Sequence, residues 1–197
     1  ACAALFEEMA RRCGPSALRK LYLSGNALGG RGGAALTAAL QKGVLPLLEE
    51  LLLLDCKLDE EVGTALLEEL ARRSGPTALR KLYLGGNKFG GRGGAAMAAA
   101  VQNGVLPLLE ELKLSSCEEA CAALFEEMAR RCGPSALRKL YLSGNALGGR
   151  GGAALAAAVQ KGELPLLEEL WLNSCELGDE GAATPRGVVV VLLRARR

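Results

Sequence analysis

The chain has 197 residues, half of them apolar, so it can bury a sizeable core and does not read as disordered. Basic and acidic residues nearly balance, 24 against 22, which gives no general drive toward nucleic acid or an anionic lipid surface. Histidine is absent, which removes histidine-based triads and metal sites, and no run of 18 or more apolar residues is long enough for a membrane span.

The seven cysteines are an odd number with no C-x-x-C pair, so free thiols in a reducing, cytoplasmic compartment are expected. The chain starts at Ala1 rather than Met, so it reads as a fragment of a longer chain; the alternative expectation is a monomer.

Taken in order, residues 1–13 suit a helix that buries Phe6. The run LRKLYLSGN follows at 18–26. Alternation places Leu21 and Leu23 on one face of a strand and Lys20, Tyr22 and Ser24 on the other. Asn26 stands where the chain leaves the strand and can bond backbone groups there. GGRGGAA at 29–35 then reads as a turn leading to a helix face of Leu36 and Leu40, and Gly43 and Pro46 end that element. A second strand, LEELLLLDC, occupies 48–56. Asp59 can cap the helix after it, Glu60 and Glu61 favour its N-terminal dipole, and Val62, Leu66 and Leu70 share one face. Gly75-Pro76 stops it.

The same pair of units then recurs: LRKLYLGGN at 79–87, LEELKLSSC at 109–117, LRKLYLSGN at 137–145 and LEELWLNSC at 167–175. The six starts are spaced by 30, 31, 30, 28 and 30 residues, and residues 1–36 return unchanged at 120–155. The short step after Cys117 loses the linker that carries Leu58 in the second unit and Leu177 in the last, so a tighter link and a locally imperfect core are expected there. Residues 184–197 break the pattern: Pro185 and Gly187 oppose a helix, while Val188 to Val191 suit a strand. That segment is either the misread end of a gene or an apolar cap strand. The domain boundaries are therefore a six-unit array over 1–183 and an atypical tail over 184–197.

Six copies of L-x-x-L-x-L-x-x-N/C, alternating Asn and Cys, resemble the leucine-rich repeat family, within it the ribonuclease-inhibitor-like subclass, and are similar to the repeat domains of NOD-like receptors. The resemblance implies an α/β horseshoe-shaped solenoid with a parallel sheet on the concave face and helices on the convex face. It also implies a protein-binding module with no chemistry of its own. The alternative is a regulator of an enzyme, a small-GTPase activator or a nuclease inhibitor.

The outward strand positions form the candidate surface. One column reads Lys20, Glu50, Lys81, Glu111, Lys139, Glu169, and a parallel one reads Arg19, Glu49, Arg80, Glu110, Arg138, Glu168. Neighbouring strands lie about 4.8 Å apart, so these charges are expected to pair and neutralise one another. The next column reads Tyr22, Leu52, Tyr83, Lys113, Tyr141, Trp171, with Asn173 beyond it. Rigid rings with polar tips are enriched at binding hot spots, so these seven residues are the candidate partner-binding set. The rival reading is that they pack only over their own sheet. Arg31, Arg92 and Arg150 in the GGRGGAA repeats are expected to be structural, with an anion-binding ladder at helix N-termini as the alternative. No catalytic, cofactor or metal residues are assigned: Cys2/Cys13 and Cys121/Cys132 stand too far apart along a helix to bridge, and Cys117 with Cys121 lacks further ligands.

Overall fold

A computed structural model describes residues 2–11, 14–72, 77–102, 104–130 and 135–176. Helix α1 (Cys2–Arg11) leads into strand β1 (Lys20–Tyr22) and helix α2 (Gly29–Gln41). Strand β2 (Glu50–Leu52), α3 (Glu60–Arg72), β3 (Lys81–Tyr83) and α4 (Gly90–Gln102) follow. Then come β4 (Glu111–Lys113), α5 (Glu118–Arg130), β5 (Lys139–Tyr141), α6 (Gly148–Gln160) and β6 (Glu169–Trp171). The strands form one parallel sheet in chain order, in constant register: Leu21, Leu51, Leu82, Leu112, Leu140 and Leu170 are matched across it. Each strand passes to the next through a helix, so the sheet lies on one side of the molecule and the helix row on the other, as the repeat pattern requires.

The core lies between these layers. Leu51, Leu53, Leu82, Leu84, Leu140 and Leu142 are completely buried, as are Phe6, Leu36, Leu66, Leu70 and Met128 from the helices. Phe6, Phe89 and Phe125 fill the core as expected. Asp59 caps α3, its Oδ1 accepting from the Val62 N–H at 2.9 Å.

GGRGGAA requires a correction of place. It forms about the first two turns of the helix itself, not a linker ahead of it: α2, α4 and α6 begin at Gly29, Gly90 and Gly148. Its first glycine carries the left-handed backbone, with φ near +58° at Gly29 and Gly90. A later one permits close approach: a Cβ on Gly94 would stand 2.1 Å from the Ala120 carbonyl oxygen of the next helix.

That contact marks the shortened step. α5 starts directly after Cys117 and is drawn against α4. Ala120 and Cys121 are buried here at the positions of Val62 and Gly63 in the longer unit, and Leu58 has no counterpart. The missing linker shows at the surface, as a recess of about 240 Å³ bounded by Asn87, Phe89, Ser116 and Glu119. The expected tight link is present, and the recess reaches the core side chains of Phe89, Cys117 and Ala120. Residues 184–197, Leu177, Gly75-Pro76, Cys13 and Cys132 lie outside the described residues.

Candidate functional site

The strand face is built from the bottom by two side chains that hold each unit to the one before it. Asn87 Oδ1 accepts from the Cys56 and Leu58 N–H groups at 3.0 and 3.1 Å. Its Nδ2 donates to the Leu53 and Leu84 carbonyls at 2.6 and 2.8 Å. Asn145 does the same for Cys117, Leu114 and Leu142. The cysteines also reach back: the Cys56 thiol donates to the Leu23 carbonyl at 3.2 Å and that of Cys175 to Leu142 at 3.2 Å. Burial pushes the Cys56 thiol up to about 11 and raises Cys117, Cys121 and Cys175 as well, so these sulfurs stay protonated and unreactive near neutrality. The weakly polar, buried role read from the sequence is correct, with a hydrogen bond added.

On this frame the charged columns pair forward. Lys20 meets Glu50 at 2.9 Å, Lys81 meets Glu111 at 3.3 Å and Lys139 meets Glu169 at 3.1 Å. Arg19, Arg80 and Arg138 pair with Glu49, Glu110 and Glu168. The expected ladder is thus resolved into discrete pairs, each joining an Asn-type strand to the Cys-type strand that follows.

Each of three glutamates holds a tyrosine as well as a lysine. The hydroxyls of Tyr22, Tyr83 and Tyr141 donate to Glu50, Glu111 and Glu169, at 2.6 Å for Tyr83 and 3.5 Å for Tyr141. Bonds from Tyr22 and Lys20 lower the Glu50 carboxyl below its ordinary value, while the bond to Glu50 raises Tyr22. Burial is the first cause of the raised values at Tyr83 and Tyr141. A protonated Tyr22 therefore stands over an ionised Glu50 at neutral pH. These Tyr–Glu bonds were not anticipated from the sequence; the constant spacing of 28 residues between the two positions was the available signal.

The seven candidate residues lie on this face. Tyr22, Leu52, Tyr83, Lys113, Tyr141 and Trp171 form one row across six strands, in matched register. Tyr22 is exposed, whereas Leu52, Tyr83, Lys113, Tyr141, Trp171 and Asn173 are half-buried. The rings of Tyr83 and Tyr141 approach edge-on at 6.3 Å between centroids, and Tyr141 and Trp171 lie 5.8 Å apart. Tyr83 and Tyr141 are two strands apart, a separation of about 10 Å in a flat sheet, so the rings close over the strand bearing Lys113. Lys113 forms no ion pair among the described residues, unlike the three lysines of the neighbouring column. The Trp171 indole N–H and the Asn173 amide oxygen are buried and unpaired. The row is therefore less exposed than alternation alone implied, because its members lean on one another and on the glutamates.

The helix side answers the question of the repeated arginines. Arg31 pairs with Glu7, Arg92 with Glu68 and Arg150 with Glu126, each joining an Asn-type helix to the preceding Cys-type helix. Glu118, Glu119 and Glu126 also line a shallow depression of about 590 Å³ beside Arg150. Carboxylates thus already hold the cations that an anion-binding ladder would need. No group of three His, Cys, Asp or Glu side chains is set to hold a metal among the described residues, and no helix among them is long and apolar enough to cross a membrane.

A family model for the leucine-rich repeat matches residues 16–36, 76–98, 135–156 and 163–184. The chain carries leucine-rich repeats. Three of the matched stretches begin just ahead of Asn-type strands of the leucine-rich repeat array, and the fourth ahead of the Cys-type strand β6. No curated protein matches the chain.

Proposed function

We propose that this chain is a protein-binding module of the ribonuclease-inhibitor-like kind, without catalysis of its own, acting inside the cell. It engages an unidentified protein partner through Tyr22, Leu52, Tyr83, Lys113, Tyr141, Trp171 and Asn173. The observation that carries this reading is the row of contacting rings across β3 to β6, with a cation and two unpaired buried polar atoms in the same strip. A partner can cover rigid rings at low entropic cost and supply the missing hydrogen bonds, while the flanking charges are already neutralised. Leucine-rich repeats generally mediate protein–protein contacts, which supports the same choice.

The test is quantitative capture of a partner by the wild-type chain, then titration of that partner against Tyr141→Ala and Trp171→Ala. Each substitution is expected to weaken binding by about 1–3 kcal/mol without unfolding the array. Unchanged affinity for both would refute the strip as the site. A partner that proves to be a small GTPase or a nuclease whose activity changes on binding would move the reading to enzyme regulation.

A further inference from the structure

Within each strand and its lead-in, variation between the units falls on one outward position. The Asn-type strands repeat LRKLYL unchanged at 18–23, 79–84 and 137–142. The Cys-type strands keep LEEL and a following leucine, but carry Leu52, Lys113 or Trp171 between them. The row across the sheet therefore alternates a constant tyrosine with a variable side chain. Of the three variable residues, Lys113 alone is charged.

Lys113 also breaks the charge balance of the face. Six ion pairs join each arginine and lysine of the Asn-type strands to a glutamate of the Cys-type strand that follows. These pairs use both glutamates of all three Cys-type strands, so Lys113 is the cation left over among the described strand residues. Register explains why. The residues matched to Lys113 on either side are Tyr83 and Tyr141, and neither is a carboxylate. Glu111, two residues away on the same face, is held by Lys81 at 3.3 Å and accepts from the Tyr83 hydroxyl at 2.6 Å. β4 has described strands on both sides, so this setting is built by the array itself and not by either end of it.

We infer that the partner presents an acidic side chain, an aspartate or glutamate flanked by apolar residues, and that Lys113 receives its carboxylate. This rests on the reading of the strip as the partner site and names the chemistry that the strip selects. Lys113 is half-buried, and the rings of Tyr83 and Tyr141 approach to 6.3 Å over its strand. A carboxylate arriving there is screened from water by the rings, and the ammonium gains a charge-assisted bond that it lacks in the free chain. The apolar flanks of the segment lie toward Leu52 on β2 and Trp171 on β6, two strands to either side. The same arrangement rejects a basic segment. Every strand glutamate is already engaged, so an incoming lysine or arginine meets Lys113 with no free carboxylate among the described strand residues to offset the repulsion.

Selection from a phage-displayed library of random peptides tests this. The 197-residue wild-type chain is the bait and the Tyr141→Ala chain the counter-bait, so that recovered peptides depend on the strip. These peptides are expected to be enriched in Asp and Glu and depleted in Lys and Arg. Lys113→Met removes the charge and keeps an unbranched stem. It is expected to weaken a recovered peptide about tenfold or more and to flatten the salt dependence of binding, with the denaturation midpoint of the chain unchanged. Lys113→Arg is expected to bind the same peptide within about threefold of wild type. Recovered peptides with no acidic enrichment, or acidic peptides whose affinity Lys113→Met leaves unchanged, would overturn the carboxylate assignment while leaving the strip as the site. A library in which no sequence is enriched on wild type over the counter-bait would remove the strip itself and this inference with it.

Discussion

Asn-type and Cys-type units share a strand, a helix and a register, yet they are fastened to their neighbours on opposite sides. From an Asn-type unit forward, the ion pairs lie on the strand face, as in Lys81–Glu111 and Arg80–Glu110. From a Cys-type unit forward, they lie on the helix row, as in Glu68–Arg92 and Glu126–Arg150. The two types also differ at the turn after the strand. Gly25, Gly86 and Gly144 take the left-handed backbone in one, while Asp55, Ser116 and Ser174 take it in the other. The alternation in sequence thus encodes an alternation of seams, and the Asn-type unit makes most of the buried side-chain bonds to backbone at the strand exits.

The strongest way to break this comparison is at the asparagines. Asn87→Ala strands two buried N–H groups, at Cys56 and Leu58, and is expected to cost about 3 kcal/mol or more in chemical denaturation. Asn26→Ala, which loses only a bond to Leu23, is expected to cost about 1 kcal/mol or less. Equal losses would refute the role assigned to the inner asparagines. Next comes the packing of α4 on α5. Gly94→Ala places a Cβ on the Ala120 carbonyl and is expected to destabilise by about 1–3 kcal/mol, read as a fall in the denaturation midpoint.

A smaller effect should sharpen the turn difference: Ser116→Gly relieves a φ of 56° and is expected to stabilise by up to about 1 kcal/mol. The Cys56 thiol makes stability depend on pH. Its folded value, about 11, lies above the ordinary 9.0, so its contribution is complete below about pH 9 and lost as pH rises through 11. Cys56→Ala should therefore flatten the stability profile between those limits. The smallest effect belongs to the exposed pairs. Double-mutant cycles for Lys81–Glu111 and Glu68–Arg92 are each expected to return about 0.2–1 kcal/mol, lessened by salt.

What could be read from the sequence follows from what repetition exposes. Six leucine phases determine which residues point inward, so Leu51, Leu82 and Leu140 were placed in the core, and the outward columns fell in the same register as the strands. The Lys–Glu pairing followed from strand spacing alone. Contacts that cross from one unit to the next by side-chain reach were not legible in this way. The Tyr–Glu bonds and the Arg31–Glu7 type of pair depend on how long side chains lean, and alternation is silent about that. The start of α2 was misplaced because glycines usually signal a turn, whereas here only Gly29 performs one and Gly32 and Gly33 are buried in the helix. The left-handed Asp55 and Ser116 carried no signal, since neither residue type demands that conformation.

Trp171 is the single tryptophan of the chain, and its indole N–H is buried and unpaired at the β6 end of the proposed strip. One indole resonance in a proton–nitrogen correlation spectrum therefore reports on that strip alone. Saturation with the captured partner is expected to shift this resonance, while Arg31→Ala, Arg92→Ala and Arg150→Ala on the helix row leave both the shift and the affinity unchanged. An indole signal that stays in place at saturation, with affinity lost in the helix-row variants, would contradict binding through the strands.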